Sequence, residues 1–181
     1  ILTRTLVERG EKLGLARVLP IAAVSPNSNG KKLTEFAALV KAGAVGFSDD
    51  GLPIATAGLL RRALVYASRL DIPIIDHCED LSLSAGGVVN EGGTAARLGL
   101  PGIPADAEDV TVARDIIVAE QTGGRLHLAH LSTNGSVELV RLAKSRQTKA
   151  GRITCEVTPH HFLLTEVALG KYDTKAKMNP P

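Results

Sequence analysis

Residues 72–77 read IPIIDH and residues 125–130 read RLHLAH, two short apolar runs that each end on a histidine. A nearly continuous apolar run of this length is typical of a strand buried on both faces of a parallel sheet. Three similar runs occur elsewhere in the chain, namely ARVLPIAAV (16–24), AVGFSDD (44–50) and ITCEVT (153–158). The sequence therefore predicts about five buried strands.

Amphipathic segments separate most of these runs. Apolar residues recur at helical spacing in segments 2–13, 31–42, 56–70, 107–122 and 134–146. Buried strands that alternate with helices indicate right-handed βαβ units and a parallel sheet. The predicted fold class is therefore α/β.

Two parallel architectures compete, an open doubly wound sheet and a (β/α)8 TIM-type barrel. No G-x-G-x-x-G opens a helix after any predicted strand, so the dinucleotide fingerprint of the open sheet is missing. Instead, Asp50, His77 and His130 end successive strands, and barrel enzymes build their sites at such carboxyl ends. This pattern favours the barrel. We expect residues 1–181 to be the central part of a single barrel domain, incomplete in this chain, with the rest in a longer protein.

Residues 81–104 interrupt the alternation of strands and helices. The segment is rich in Gly and Pro and is too long for an ordinary loop between a strand and a helix. It follows a strand end, which predicts a position over the rim of the site. A lid and an ordered surface excursion without chemistry are both compatible with its sequence.

Composition excludes several classes of protein. The formal net charge is +2, and no basic cluster indicates nucleic-acid binding. No apolar run is long enough for a membrane span. Cys78 and Cys155 belong to no CxxC pair and are interpreted as reduced, packed thiols, as in a cytoplasmic protein.

The strand-end side chains predict a metal site. Alternate residues of a strand share a face, so Asp50, His77 and His130 converge in a common pocket if each points inwards. One carboxylate and two imidazoles suit Zn²⁺. By the same alternation His127 faces the helices and is interpreted as structural. Taken singly, Asp49 and Asp50 before Gly51 also fit a turn, and a lone histidine is more often a core residue than a ligand.

Seven blocks of sequence occur along the chain in order: GFSDDG (46–51), DHCED (76–80), NEGGTAARLGLPGIP (90–104), VARDI (112–116), RLHLAHLST (125–133), CEVTPHH (155–161) and KMNPP (177–181). Together they resemble the class I dihydroorotases of the amidohydrolase superfamily. The resemblance covers the chain from about residue 44 to its end, and more loosely the helix and strand before that. The whole fragment then corresponds to roughly the third to seventh strands of that family's barrel.

The resemblance implies a ligand set. Asp50 matches the metal-binding carboxylate of the fourth strand, His77 the histidine of the fifth and His130 that of the sixth, around one or two Zn²⁺ ions. Asn179 matches an Asn that contacts the substrate ring or carboxylate. The H-x-H of the first strand is expected before Ile1, and the proton-shuttling Asp of the eighth after Pro181, so no catalytic residue is expected within the chain. His160 and His161 are given a structural or supporting role.

The resemblance also implies the reaction and its alternatives. The expected activity is the interconversion of dihydroorotate and N-carbamoyl-L-aspartate in pyrimidine biosynthesis. The expected assembly is a homodimer, or a complex with aspartate transcarbamoylase. One alternative is an inactive dihydroorotase-like subunit that scaffolds aspartate transcarbamoylase. The other is a related hydantoinase or allantoinase, against which Asp50 argues, because many such enzymes carry a carboxylated lysine at that position.

Overall fold

The computed structural model describes residues 1–146 and 152–181. Their helices and strands are, in chain order, α1 (Leu2–Leu13), β1 (Ile21–Ala22), a 3-10 turn (Pro26–Ser28), α2 (Phe36–Lys41), β2 (Gly46–Phe47), α3 (Ala57–Ser68), β3 (Ile74–Asp76), α4 (Leu81–Ser84), β4 (Val89–Asn90), α5 (Gly93–Leu98), β5 (Gly102–Ile103), α6 (Asp106–Thr122), β6 (Leu126–Leu128), α7 (Asn134–Arg146), β7 (Ile153–Cys155), α8 (Pro159–Leu163) and two further 3-10 turns (Glu166–Leu169 and Thr174–Ala176). Among these residues no helix is both long and apolar enough to cross a bilayer.

The main sheet is parallel and has the strand order β1-β2-β3-β6-β7. Within this sheet each strand pairs with the strand that follows it in the chain, once β4 and β5 are left out. These two short strands come between β3 and β6 and pair with each other in a separate parallel sheet. A doubly wound sheet reverses its order at a switch point, and this sheet has no reversal. The predicted α/β class with a parallel sheet is confirmed. The carboxyl ends of all five strands lie along one edge.

Helices α3, α6 and α7 cover one face of the main sheet. Ile74, Leu126 and Leu128 belong to the same buried cluster as apolar residues of these helices. Near β2 the core is aromatic: Phe36 stacks on Phe47 with ring centroids 3.8 Å apart, and on Tyr66 at 5.1 Å. Burial of this face, rather than intrinsic propensity, stabilises these short elements.

The other face of the main sheet carries His127, and here a prediction was wrong. In-register partners on adjacent parallel strands share a face, and His127 pairs with Ile75 and Thr154. The helix-facing positions beside it are Leu126 and Leu128, which are buried. His127 therefore lies on the face away from the helices, where its Nδ1 and the Thr154 hydroxyl are 2.8 Å apart.

The strands are shorter than the apolar runs that predicted them. Pro20 precedes β1 and has no N–H to donate to a ladder. The predicted helix 31–42 begins only at Phe36, because Thr34 bonds to the two residues that follow β1. There the Thr34 N–H donates to the Val24 carbonyl at 2.9 Å, and the Thr34 hydroxyl to the Ala23 carbonyl at 2.7 Å.

Residues 81–104 form an ordered excursion. They fold into α4, β4, α5 and β5, and Val89 and Ala95 share a small second core with Leu169. The Tyr172 hydroxyl donates to the Leu98 carbonyl at 2.6 Å. The carboxyl-terminal segment therefore packs on this excursion, which accounts for its ordered path despite its many glycines.

Candidate metal centre

His77 and His130 meet beyond the carboxyl ends of β3 and β6. These strands are adjacent and in register, so the residues that follow them lie side by side. His77 Nδ1 and His130 Nε2 are 3.1 Å apart, and the ring centroids are separated by 4.8 Å at an angle of 65°. Two of the three predicted ligands are thus brought together.

His130 reaches this position through a turn and not through strand alternation. Strand β6 ends at Leu128, so strict alternation would put His130 on the helix-facing side with Leu126 and Leu128. Instead, His130 has a φ of 34°. A non-glycine residue held there costs on the order of 1 kcal/mol or more, and such strain concentrates at functional sites. The surrounding structure must therefore hold this conformation.

Glu79 fixes the orientation of the His77 ring. Its carboxylate lies 2.8 Å from His77 Nε2. A carboxylate at this distance accepts the Nε2 proton, which leaves the lone pair of a neutral ring on Nδ1, the atom that faces His130. Burial opposes ionisation of Glu79, but hydrogen bonds from Ser84 and His77 lower the pKa of its carboxyl below the ordinary value. An ionised carboxylate behind a histidine is a common support for a metal ligand.

The histidine pair fits a metal ion such as Zn²⁺. Two nitrogens bound to one tetrahedral zinc lie about 3.3 Å apart, close to the 3.1 Å observed here. Burial, and next the neighbouring His77, lower the pKa of His130, which keeps the ring in the neutral form that binds metals. Among the described residues, His130 Nδ1 is the buried side-chain nitrogen or oxygen that lacks a hydrogen-bond partner. Donor type and spacing therefore match two ligands of one ion.

Asp50 does not join the two histidines in this structure. Its side chain is exposed in the loop after β2, where its N–H donates to the Ser48 hydroxyl at 3.1 Å. Within residues 1–146 and 152–181, Asp50, His77 and His130 do not form a set with ligand atoms within 4.8 Å of one another. Asp49 is buried instead and accepts hydrogen bonds from the N–H and hydroxyl of Ser25 at 2.9 and 2.6 Å. The role of Asp50 as a ligand stays a prediction.

A second cluster of potential ligands lies beneath His77. Asp76, Cys78 and Asp115 have ligand atoms within 4.8 Å of one another. Arg114 already supplies a positive charge there, since its Nε lies 2.6 Å from Asp115 Oδ1 and its NH2 nitrogen 3.3 Å from Asp76 Oδ2. Burial raises the pKa of the Cys78 thiol well above its ordinary value, which keeps it protonated. We therefore interpret the cluster as a buried ion-pair network that supports the strand end.

This network explains three polar residues, Asp76, Arg114 and Asp115, whose contacts were not predicted from the sequence. Asp76, the last residue of β3, is fully buried and accepts the N–H of Ile54 at 2.8 Å. Burial, and next the charge of Asp115, raise the pKa of Asp76 well above its ordinary value, while Arg114 opposes the rise. Arg114 and Asp115 belong to the VARDI block, so the block itself was the available signal. Asp76, the partner of Arg114, lies 38 residues away from it in sequence.

Asn179 lies in the wall of a small cleft beside these elements. Glu79, Asn90 and Ser132 line the same cleft. His161 holds the segment, because its Nε2–H donates to the Pro180 carbonyl at 2.7 Å. That contact agrees with a supporting role for His161. The structure thus places Asn179 near Glu79, while its contact with a substrate stays a prediction.

Comparison with solved structures identifies the class of fold. An L-hydantoinase (dihydropyrimidinase) from Arthrobacter aurescens aligns with a TM-score of 0.71 over 99% of this chain and 41% of its own, at 21% identity. A D-hydantoinase (dihydropyrimidinase) from Thermus sp. aligns with a TM-score of 0.63 over 89% of this chain and 36% of its own, also at 21% identity. At this identity the likeness concerns the fold alone, which this chain shares with part of each of these two hydantoinases.

Comparison of sequences identifies the family. The dihydro-orotase-like family model matches residues 5–136. The dihydroorotase of Pelotomaculum thermopropionicum is 55% identical over 168 residues, which cover 93% of this chain and 39% of that protein. The dihydroorotase of Syntrophus aciditrophicus is 52% identical over 179 residues, which cover 99% of this chain and 41% of that protein. The chain belongs to the dihydroorotase-like family, and it spans about two-fifths of the length of these relatives.

Proposed function

We propose that the intact protein is a zinc-dependent dihydroorotase, which interconverts dihydroorotate and N-carbamoyl-L-aspartate in pyrimidine biosynthesis. The observation that carries the proposal is the 3.1 Å approach of His77 Nδ1 and His130 Nε2 at the ends of adjacent strands. Family membership supports the choice of reaction, since the relatives are dihydroorotases. The chemistry belongs to the whole protein, of which this chain supplies one part.

The residues of this chain would bind and orient the reacting groups. His77 and His130 would hold a Zn²⁺ ion, which supplies a Lewis acid for the ring carbonyl and lowers the pKa of a water molecule. Glu79 holds the Nε2 proton of His77 and thereby keeps the Nδ1 lone pair turned towards His130. Asn179 would hydrogen-bond the ring or the carboxylate of the substrate.

Asp50 is proposed as a third ligand. It follows β2, which pairs with β3, so its loop lies at the same edge of the sheet as His77. Because its side chain is exposed, no packing prevents the carboxylate from rotating towards the histidines. We further propose that the remaining ligands and the proton-shuttling carboxylate come from elsewhere in a complete (β/α)8 barrel, in which β1 and β7 pair with further strands.

One assay on the intact protein tests the function. We expect stoichiometric zinc by elemental analysis, and turnover of dihydroorotate but not of hydantoin. Absence of both metal and turnover would identify an inactive subunit of the kind that scaffolds aspartate transcarbamoylase. Preferential turnover of hydantoin or allantoin would identify the other alternative. Retention of both histidines in a paired geometry favours the active enzyme over the scaffold.

Two variants on the same strand segment sharpen this test. His130→Ala should lose zinc and activity, because it removes one of the two facing nitrogens. His127→Ala is the matched control, since the ring nitrogens of His127 face Thr154 and Glu156. We expect this control to keep its zinc. Equal loss of zinc in both variants would refute the assignment of His130.

The assembly is proposed to be a homodimer, with association to aspartate transcarbamoylase as a second arrangement. Light scattering of the intact protein, alone and mixed with aspartate transcarbamoylase from the same organism, distinguishes the two. A monomer in both measurements would contradict them.

A further inference from the structure

Glu108, in the first turn of α6, binds the loop that follows His130. Its side chain is only 6% exposed. The carboxylate accepts the N–H of Ser132 at 3.0 Å and its hydroxyl at 2.8 Å, and the N–H of Thr133 at 3.2 Å. The Thr133 hydroxyl oxygen lies 3.1 Å from the same carboxylate. A buried carboxylate with this many donors is firmly placed, because each lost contact would leave a buried polar group unsatisfied.

Asp109 extends this contact to the start of α7. Its Oδ1 accepts the Thr133 hydroxyl at 2.5 Å and the Ser136 hydroxyl at 2.9 Å. A Cβ placed on Gly135 would collide with the Asp109 carboxylate, so the two segments approach as closely as a glycine permits. Glu108 and Asp109 therefore form a clamp, named here the α6 clamp, on residues 132–136.

The α6 clamp completes the attachment of the segment around His130. On one side of His130, the Ala129 N–H donates to the Asp76 carbonyl at 3.0 Å, which ties the segment to β3. On the other side, the Leu131 N–H donates to the Glu156 carbonyl at 3.0 Å, beyond β7. The next two N–H groups along the chain, of Ser132 and Thr133, go to Glu108. Glu108 thus takes the two N–H groups that follow those bound by backbone carbonyls, and it is the clamp residue that lies nearer to His130 in these contacts.

We propose that Glu108 is a positioning residue that holds His130 in its left-handed conformation, facing His77. The strained φ of 34° persists only while the residues on both sides are fixed. Without the carboxylate, the chain from 131 to 134 can relax, and His130 Nε2 can turn away from His77 Nδ1. The inference rests on the proposed metal-binding function, but Glu108 itself neither contacts a ligand nitrogen nor belongs to the predicted site.

The experiment uses the intact protein and three substitutions. Glu108→Ala removes the carboxylate. Glu108→Gln keeps an acceptor for Ser132 but turns an amide N–H₂ towards Thr133, and Ser132→Ala removes a single hydroxyl contact. The matched control is Glu120→Ala, an exposed glutamate on the same helix. Two properties are measured: the Kd for Zn²⁺ alone, by competition with a chelator, and hydrogen exchange of the amides in residues 129–136.

We expect a graded loss. Glu108→Ala should weaken zinc binding by about 10-fold or more, as loss of a residue that supports a metal ligand does. Glu108→Gln should be intermediate and Ser132→Ala the mildest. Amides of residues 129–136 should exchange faster in the same order, while those of α3 stay unchanged. Glu120→Ala should match the unsubstituted protein in both measurements.

Each outcome supports or overturns the inference. A purely structural role predicts faster exchange throughout the protein, or a lower Tm, with an unchanged Kd in the folded variants, and that result overturns it. If Glu108→Ala does not fold, the other two substitutions decide. A larger loss of zinc affinity in Glu108→Gln than in Ser132→Ala supports the inference, and any other order overturns it. If the unsubstituted protein binds no zinc, the proposed function fails. In that case exchange confined to 129–136 in Glu108→Ala still supports the positioning role, and unchanged exchange overturns it.

Discussion

Replacement of Arg114 by Met should destabilise the protein strongly, because it leaves two buried carboxylates without their cation. The Asp76 and Asp115 side chains are 0% exposed, while that of Arg114 is 26% exposed. The guanidinium contacts both, at 3.3 and 2.6 Å. Met retains most of the apolar stem of Arg, so the substitution mainly removes charge and hydrogen bonds.

The magnitude follows from the burial of the partners. Removal of one partner of a buried ion pair typically costs 3–5 kcal/mol, because the other charge stays buried and uncompensated. Arg114 is partly accessible, so water can reach its place, and the raised pKa of Asp76 lets that carboxyl take up a proton; both effects reduce the loss. We therefore expect the free energy of unfolding to fall by about 3 kcal/mol. A second substitution, Asp115→Asn, should restore at least about 1 kcal/mol, as expected for directly coupled residues.

Urea titration of the intact protein measures this loss. The control is Arg141→Met, because Arg141 pairs with Glu138 at the surface, where the side chains are 66% and 58% exposed. Such an exposed pair contributes about 0.5 kcal/mol or less. A loss below about 1 kcal/mol for Arg114→Met would refute the reasoning, as would a double variant with Asp115→Asn that recovers nothing. Either result would mean that other groups balance the two carboxylates.

Two further substitutions test the site and its support. Glu79→Ala should weaken zinc binding by about 10-fold, because the His77 ring loses the acceptor that fixes its tautomer. Chelator competition measures this, and an unchanged Kd would contradict it. Gly135→Ala should lower the free energy of unfolding by about 1–3 kcal/mol, because the new methyl group collides with the Asp109 carboxylate. The control is Gly93→Ala, where a Cβ meets nothing within 4 Å, and equal urea midpoints for the two variants would contradict the clamp geometry.

The histidine pair was predictable because the carboxyl ends of neighbouring parallel strands share one edge of the sheet. Residues that end successive apolar runs must come close there, and His77 and His130 do. Asp50 follows β2 by the same rule, but Ser48 and Asp49 intervene and the Asp50 side chain is exposed. The position of a strand end determines where the backbone of a residue lies. The direction of its side chain depends on the groups that pack around it.

Alternation failed where the strand ended early. When strand alternation is extended along residues 125–130, it assigns His127 to the helix face. The register of His127 with Ile75 and Thr154 places this residue on the other face. His130 does lie beside His77, but the cause is a turn at φ 34° and not the pleat of a strand. The residue at which a strand ends depends on hydrogen bonds to the adjacent strands. A local sequence pattern carries no information about those bonds.

By itself the sequence determined the parallel α/β fold, the family and the two facing histidines. The fold and the histidines depend on hydrophobic periodicity and on residue types at strand ends, and the family on the resemblance of seven sequence blocks. All of these are local properties of the chain. The supports of the site were decided by the tertiary structure, because Arg114 and Glu108 find their partners 38 and 24 residues away. Charges that are neutralised across such distances leave no periodic signal, since their pairing exists only once the helices have packed against the sheet.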